Sequence, residues 1–152
     1  MKVWFFLIIL SLGPWNLMAI SEIAGPDYRY EASRCVRSYA CYYDGTIYID
    51  VSEAVAHHDL YHALFHETQH HMQCRYRIWR TPGGWDVFME MAKDLTASGE
   101  LKKAQALAIR PYLGCSSCQH ELHAELPWIL RGEIPCGFAP WYPWFDLSEC
   151  EA

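Results

Sequence analysis

The 152-residue sequence lacks an excess of positive charge: 12 Lys and Arg residues stand against 18 Asp and Glu residues, and the net charge is −6. A nucleic-acid surface needs clustered cations to neutralise phosphates, so this balance argues against a nucleic-acid partner. The chain also lacks internal repeats and low-complexity tracts, and its residues are 52% apolar and 20% charged. This composition is typical of a globular chain, and the length fits one domain.

Long hydrophobic runs are scarce as well. The one clear apolar run, residues 3–12, follows Lys2 and is soon interrupted by a proline and an asparagine, so it is short for a membrane span. A charged start, a short apolar segment and a small residue at Ala19 are typical of a secretory signal peptide over residues 1–19, with an N-terminal anchor as the alternative. We therefore predict that residues 20–152 form a single domain, secreted or periplasmic, with no stable membrane association after cleavage.

Cysteine, by contrast, is abundant. All seven cysteines lie after residue 19, and such a content suits an oxidising compartment. An odd number leaves at least one thiol outside any intramolecular disulfide. Proximity in the sequence pairs Cys35 with Cys41 and Cys136 with Cys150, whereas Cys74 is predicted to stay unpaired because it lies in a predicted helix.

The periodicity of apolar residues predicts a small α+β domain. A β-branched and aromatic stretch at 45–51 follows an Asp-Gly turn and predicts a strand. A long helix is predicted directly after it, over 52–77, with Ser52 as its N-cap. The remaining elements are one or two helices within 85–110, broken near Ser98-Gly99, a helix that begins near Ser117 or Gln119, and an irregular aromatic tail over 135–152.

The predicted long helix carries His66-Glu67-Thr68-Gln69-His70. Two histidines four residues apart lie on one helix face, so both imidazoles can bind one cation, and Glu67 projects beside the remaining coordination position. There it can take a proton from a water molecule that the cation activates. His58 and His62 continue the same spacing; a second metal site is conceivable there, but packing or surface positions are more common for such histidines.

A catalytic zinc ion usually has three protein ligands, and the third must come from elsewhere in the chain. The second histidine cluster, around 120–125, is the obvious source. Glu121 and Glu125 share one helix face, so Glu121 can bind the metal while Glu125 accepts a hydrogen bond from a ligand histidine. His120, His123 and Glu125 stay open as alternative third ligands.

These residues carry a resemblance to a known group of proteins. HETQHHMQ followed by ELHAE resembles the gluzincins, and in particular the minimal zincin domains of metallopeptidase type. The resemblance covers 45–77 and 117–130. It implies a short sheet, an active-site helix, a later helix with a glutamate ligand, and a peptide or protein substrate. It also implies three zinc ligands and one general base, namely His66, His70 and Glu121 with Glu67.

Further expectations concern the surroundings of this site. Tyr61, Tyr76 and His123 are candidate donors to a developing oxyanion. The strand at 45–51, if it has a free edge, can align an extended peptide by strand addition, which favours a peptidase.

The pair Cys115 and Cys118 is open to two interpretations. With His120 and His123 it can form a structural zinc site, but in an exported protein a disulfide from this pair is favoured. A second functional hypothesis follows from the cysteines: a non-catalytic exported protein, stapled by disulfides, that binds metal or a protein partner.

Overall fold

The computed structural model describes residues 25–150, and the predicted signal peptide over 1–19 lies outside them. The described chain is an α+β fold with a three-stranded mixed sheet, as predicted. Strand β3, Thr46–Ile49, lies between β1, Asp27–Arg29, which is parallel to it, and β2, Ala40–Tyr43, which is antiparallel. Asp44 and Gly45 join β2 to β3 with positive φ angles of 46° and 82°, which is the conformation of a two-residue hairpin turn.

The predicted strand at 45–51 is therefore present as β3, but the prediction that it has a free edge is wrong. β3 is the central strand and uses its backbone groups on both sides. The edge strands are β1 and β2, and neither has a second strand partner within residues 25–150. The hairpin turn decides this, because it folds β2 back onto β3 and leaves the opposite edge of β2 without a neighbouring strand.

The predicted long helix over 52–77 is two helices, α1 (Val51–Ala56) and α2 (Leu60–Tyr76). Asp50, and not Ser52, is the N-cap of α1, because its carboxylate accepts a hydrogen bond of 3.0 Å from a backbone N–H of the first turn. The chain breaks at His58, whose φ of 52° is left-handed and incompatible with a continuous helix.

Three further helices form the other layer. They are α3 (Gly84–Ala97), α4 (Lys103–Leu113) and α5 (Gln119–Ile129). The predicted break near Ser98-Gly99 is confirmed, and Gly99 has the positive φ of 78° that glycine adopts without strain. Short 3₁₀ turns occupy Ile78–Arg80, Cys136–Trp141 and Ser148–Cys150.

Helix α2 lies between two hydrophobic clusters. Its Leu64 packs with Ile47 and Ile49 under the sheet, whereas its Phe65 and Met72 pack into the larger cluster formed with the other helices. The aromatic tail covers that larger cluster, and its most buried members are Trp141, Tyr142 and Trp144. Because both sides of α2 are covered, the polar side chains over 66–73 are held in fixed positions between the layers.

Three disulfides join six of the cysteines, and this number suggests an oxidising, extracellular environment. Both predicted pairs are present, the thiol of Cys74 is free as predicted, and the third disulfide joins Cys115 to Cys118. The structural zinc site considered for this last pair is therefore excluded. Residues 25–150 contain no helix with the length and apolar character that a membrane span requires.

Candidate metal centre

The candidate site forms where α2 faces α5. His66 and His70 lie one turn apart on α2, and Glu121 lies in the first turn of α5. The two Nε2 atoms of the histidines are 3.1 Å apart. The Glu121 carboxylate is 3.0 Å from Nε2 of His66 and 3.4 Å from Nε2 of His70. His70 and Glu121 are 51 positions apart in the sequence, and the fold brings their donor atoms together.

These three separations fit one small cation. Tetrahedral zinc with bonds of about 2.0–2.1 Å keeps its ligand atoms about 3.3 Å apart. The ligand atoms of His66, His70 and Glu121 all lie within 4.8 Å of one another, so this group could hold a metal ion. It is the one such group of three or more His, Cys, Asp and Glu residues in the part of the chain that the structure describes.

Hydrogen bonds fix the orientation of both histidines. Nδ1 of His66 donates to Glu125 at 2.8 Å, and Nδ1 of His70 donates to the side-chain oxygen of Gln73 at 3.0 Å. With Nδ1 used in this way, Nε2 is the nitrogen left for a cation. The role predicted for Glu125 is consistent with this contact. Gln73 was not predicted, although its place three residues after His70 on the same helix face was the available signal.

Glu125 also contacts His62, one turn before His66. Nε2 of His62 is 2.6 Å from the second Glu125 oxygen, and Nδ1 is 2.8 Å from Asp59. Asp59 in turn accepts a hydrogen bond from the Tyr39 hydroxyl, and Trp128 stacks on the His62 ring at 4.7 Å. Both ring nitrogens of His62 therefore face carboxylates, which makes it a support for Glu125. These contacts therefore do not support a second metal site at His62.

The carboxylates change the proton affinity of the site. Burial opposes a charge on His66, but its hydrogen bonds to Glu121 and Glu125 outweigh this and raise the pKa of His66 to about 10. The hydrogen bonds from His66 and His70 lower the pKa of Glu121 well below its ordinary range. A cation at Nε2 of His66 competes with this proton, so metal affinity falls as the pH falls.

Glu67 lies beside the three donor atoms with only 9% of its surface exposed. Burial raises the pKa of Glu67, and the nearby His70 and His66 partly offset this rise. Its carboxylate accepts a hydrogen bond from the backbone N–H of Tyr42 in β2. A buried carboxyl with a raised pKa, next to a candidate metal position, has the properties of a proton acceptor.

A cavity of about 520 Å³ lies between β2 and the two helices, and its lining includes the three donor residues and Glu67. The residues expected as oxyanion donors, Tyr61, Tyr76 and His123, are not among its lining residues in the described chain. The tyrosines that line it are Tyr39, Tyr42 and Tyr112. Burial, with the charges of Glu125 and Glu121, raises the pKa of Tyr112, so this phenol stays protonated and able to donate. No motif or spacing in the sequence indicated that Tyr112 would line this cavity.

The alternative third ligands do not join the group. His123 is fully buried; its Nε2 donates to the Trp141 carbonyl at 2.7 Å, its Nδ1 is 2.9 Å from the Gln73 amide, and its ring stacks on Tyr142 at 4.3 Å. His123 is thus a core residue whose two nitrogens are both used. Nε2 of His120 contacts the Glu121 carboxylate at 3.1 Å from a half-exposed position, and Glu125 faces Nδ1 of His66 instead of Nε2.

The buried state of His123 predicts a loss of stability in acid. Burial lowers the pKa of His123 from 6.5 to about 3. Below about pH 6.5 the unfolded chain takes up this proton and the folded chain does not, so the free energy of unfolding falls by up to about 1.4 kcal/mol per pH unit. Near pH 6.5 His66 acts in the opposite direction, because it is protonated in the folded chain and only partly protonated in the unfolded chain, but this contribution is common to wild type and to a His123 variant.

Urea unfolding of the metal-free protein between about pH 6.5 and pH 5 measures this slope. We expect His123→Gln to flatten it relative to wild type. His57→Gln is the matched control, because the His57 side chain is 62% exposed. Equal slopes in wild type and His123→Gln would contradict the prediction.

Comparison with protein-family models, curated proteins and solved structures found no match to this chain.

Proposed function

We propose that this protein is a zinc-dependent hydrolase, most specifically a peptidase of minimal zincin type, that works in a secreted or periplasmic location. In this proposal His66, His70 and Glu121 bind Zn²⁺ and Glu67 is the general base. One observation carries it: the two Nε2 atoms and the Glu121 carboxylate lie 3.0–3.4 Å apart, next to buried Glu67 and open to a cavity.

The donor set favours zinc among the common metals. Two imidazoles and one carboxylate are a ligand set of catalytic zinc sites, whereas magnesium and calcium prefer oxygen ligands alone. When bound, zinc supplies Lewis-acid polarisation of a carbonyl and acidifies water. With three ligands from the protein, a fourth position is left for chemistry.

The protein's own residues then have separate tasks. Glu67 takes a proton from a water molecule in the cavity and passes it to the leaving amine, as its raised pKa favours. Glu125 and Gln73 hold the two histidines through Nδ1. Tyr112, protonated and lining the same cavity, is the candidate donor to the oxygen that becomes negative during hydrolysis.

The edge strand supports a peptide as the substrate. Ala40, Cys41 and Tyr42 of β2 line the cavity, and the backbone N–H of Tyr42 points at Glu67 and away from β3. An extended peptide that lies along this edge would pass beside Glu67. Strand addition is a common way for proteins to hold extended peptides, and here it involves β2 and not the predicted 45–51 strand.

Turnover on a library of internally quenched peptides tests the proposal. We expect zinc-loaded protein to cleave members of the library, a zinc chelator to abolish cleavage, and added zinc to restore it. If zinc-loaded, folded protein cleaves no member, the peptidase proposal fails and the non-catalytic, disulfide-stapled binding protein takes its place.

A further inference from the structure

The lining of the cavity contains one cation that the metal chemistry does not use. Arg37 is the one Lys or Arg among its lining residues in the described chain. Within residues 25–150 the side chain of Arg37 forms no ion pair and no hydrogen bond with the protein. A guanidinium keeps its charge at every accessible pH, so Arg37 presents a permanent, uncommitted positive charge to the cavity.

The acids of the cavity are already engaged. Glu121 and Glu125 contact the site histidines, and Asp59 contacts His62 and the Tyr39 hydroxyl. Glu67 accepts the hydrogen bond from β2. No carboxylate within residues 25–150 therefore pairs with Arg37, and this leaves its charge available to an anionic group of the substrate.

The loop that carries Arg37 is constrained. The Cys35–Cys41 disulfide closes it, with the two Cα atoms 5.5 Å apart, and the Ser38 hydroxyl donates to the Ala40 carbonyl at 2.8 Å. Arg37 has a φ of 58°, a left-handed conformation in which glycine would be less strained. A long cationic side chain therefore stands at a backbone position that disfavours one, on a stapled loop next to the metal centre.

We propose that Arg37 binds a carboxylate of the substrate, so that the enzyme prefers peptides with an acidic side chain or a free C-terminal carboxylate beside the cleavage site. This inference rests on the proposed peptidase function and names the substrate class of the same cavity. The planar guanidinium can donate two parallel hydrogen bonds to a carboxylate. A neutral amide of the same shape offers only one acceptor oxygen and no charge, so Arg37 distinguishes the carboxylate from the amide.

Three peptidyl hydroxamates test this proposal by binding alone. They share one sequence apart from a single group. The neutral probe has Gln and a terminal amide, the second probe has Glu in place of Gln, and the third keeps Gln but has a free carboxylate in place of the terminal amide. Dissociation constants are measured by calorimetry on the zinc-loaded full chain. We expect one of the two carboxylate probes to bind about tenfold more tightly than the neutral probe, which identifies the source of the carboxylate. The preference should weaken at high salt.

Substitutions then assign the preference to Arg37. Arg37→Gln should abolish it while binding of the neutral probe changes less than twofold, and Arg37→Glu should reverse it. Arg34→Gln is the matched control, because Arg34 directly precedes the disulfide-closed loop and its guanidinium lies over the rings of Tyr43 and Tyr48, outside the cavity lining. Thermal melting confirms that each variant is folded.

No preference in wild type, a preference that survives Arg37→Gln, or no binding of any probe would overturn the proposal. Its failure is distinguishable from failure of the proposed function. A protein that cleaves peptides without favouring acidic ones disproves only the role of Arg37, whereas a protein that favours the carboxylate probe but cleaves nothing disproves only the peptidase.

Discussion

Glu67→Gln is expected to lower the kcat of peptide cleavage about a hundredfold to ten-thousandfold while the zinc content stays the same. The amide has nearly the shape of the carboxylate and can still accept the hydrogen bond from the Tyr42 backbone N–H. It cannot take a proton from water, so the loss falls on the proton transfer and not on the fold. Glu67 is also not one of the three residues whose donor atoms converge.

The measurement is kcat on the best substrate from the peptide library, with zinc content determined on the same preparation. Glu53→Gln is the control variant, because the Glu53 side chain is 61% exposed on α1 and does not line the cavity. Full activity of Glu67→Gln with zinc bound would rule out Glu67 as the general base. Loss of zinc in this variant would mean that Glu67 supports the site and would leave its chemical role unproven.

The second large effect concerns the metal itself. Wild-type protein is expected to bind one zinc ion per chain, and His66→Ala, His70→Ala and Glu121→Ala are each expected to lose it. Each substitution removes one of three protein ligands, and two remaining ligands hold zinc far more weakly. Elemental analysis after dialysis against metal-free buffer gives the stoichiometry for each variant.

The size of the loss in zinc affinity distinguishes residues that bind the metal from residues that only orient a ligand. Glu125→Gln should keep zinc in excess metal but bind it about 10–100-fold more weakly, because Glu125 orients His66 through Nδ1 and is not one of the three converging donors. His57→Ala removes an exposed histidine just before α2, and this variant should bind zinc as wild type does. If Glu121→Ala keeps zinc that His66→Ala loses, the third ligand is His120, since both nitrogens of His123 are used in the core. A folded wild type without zinc would end the hydrolase proposal.

Local sequence determined one half of the site. His66, Glu67 and His70 share a face because the α-helix repeats every 3.6 residues, and that relation needs no distant contact. The same locality explains why the Cys35–Cys41 pair and the break at Gly99 were predictable from sequence. Local pattern was misleading at His58, where a left-handed residue interrupts what reads as one continuous helix.

Tertiary structure decided the other half. Glu121 joins the histidines only because α5 packs against α2, and several residues of α5 offered the same ligand chemistry in the sequence. Packing of the aromatic tail turned His123 into a core residue, and the hairpin made β2, not β3, the strand beside the cavity. The sequence by itself therefore determined which residue types could bind a metal, because helix periodicity is local. Only the fold selected among them and brought Arg37 to the same cavity, because those contacts join segments that are far apart along the chain.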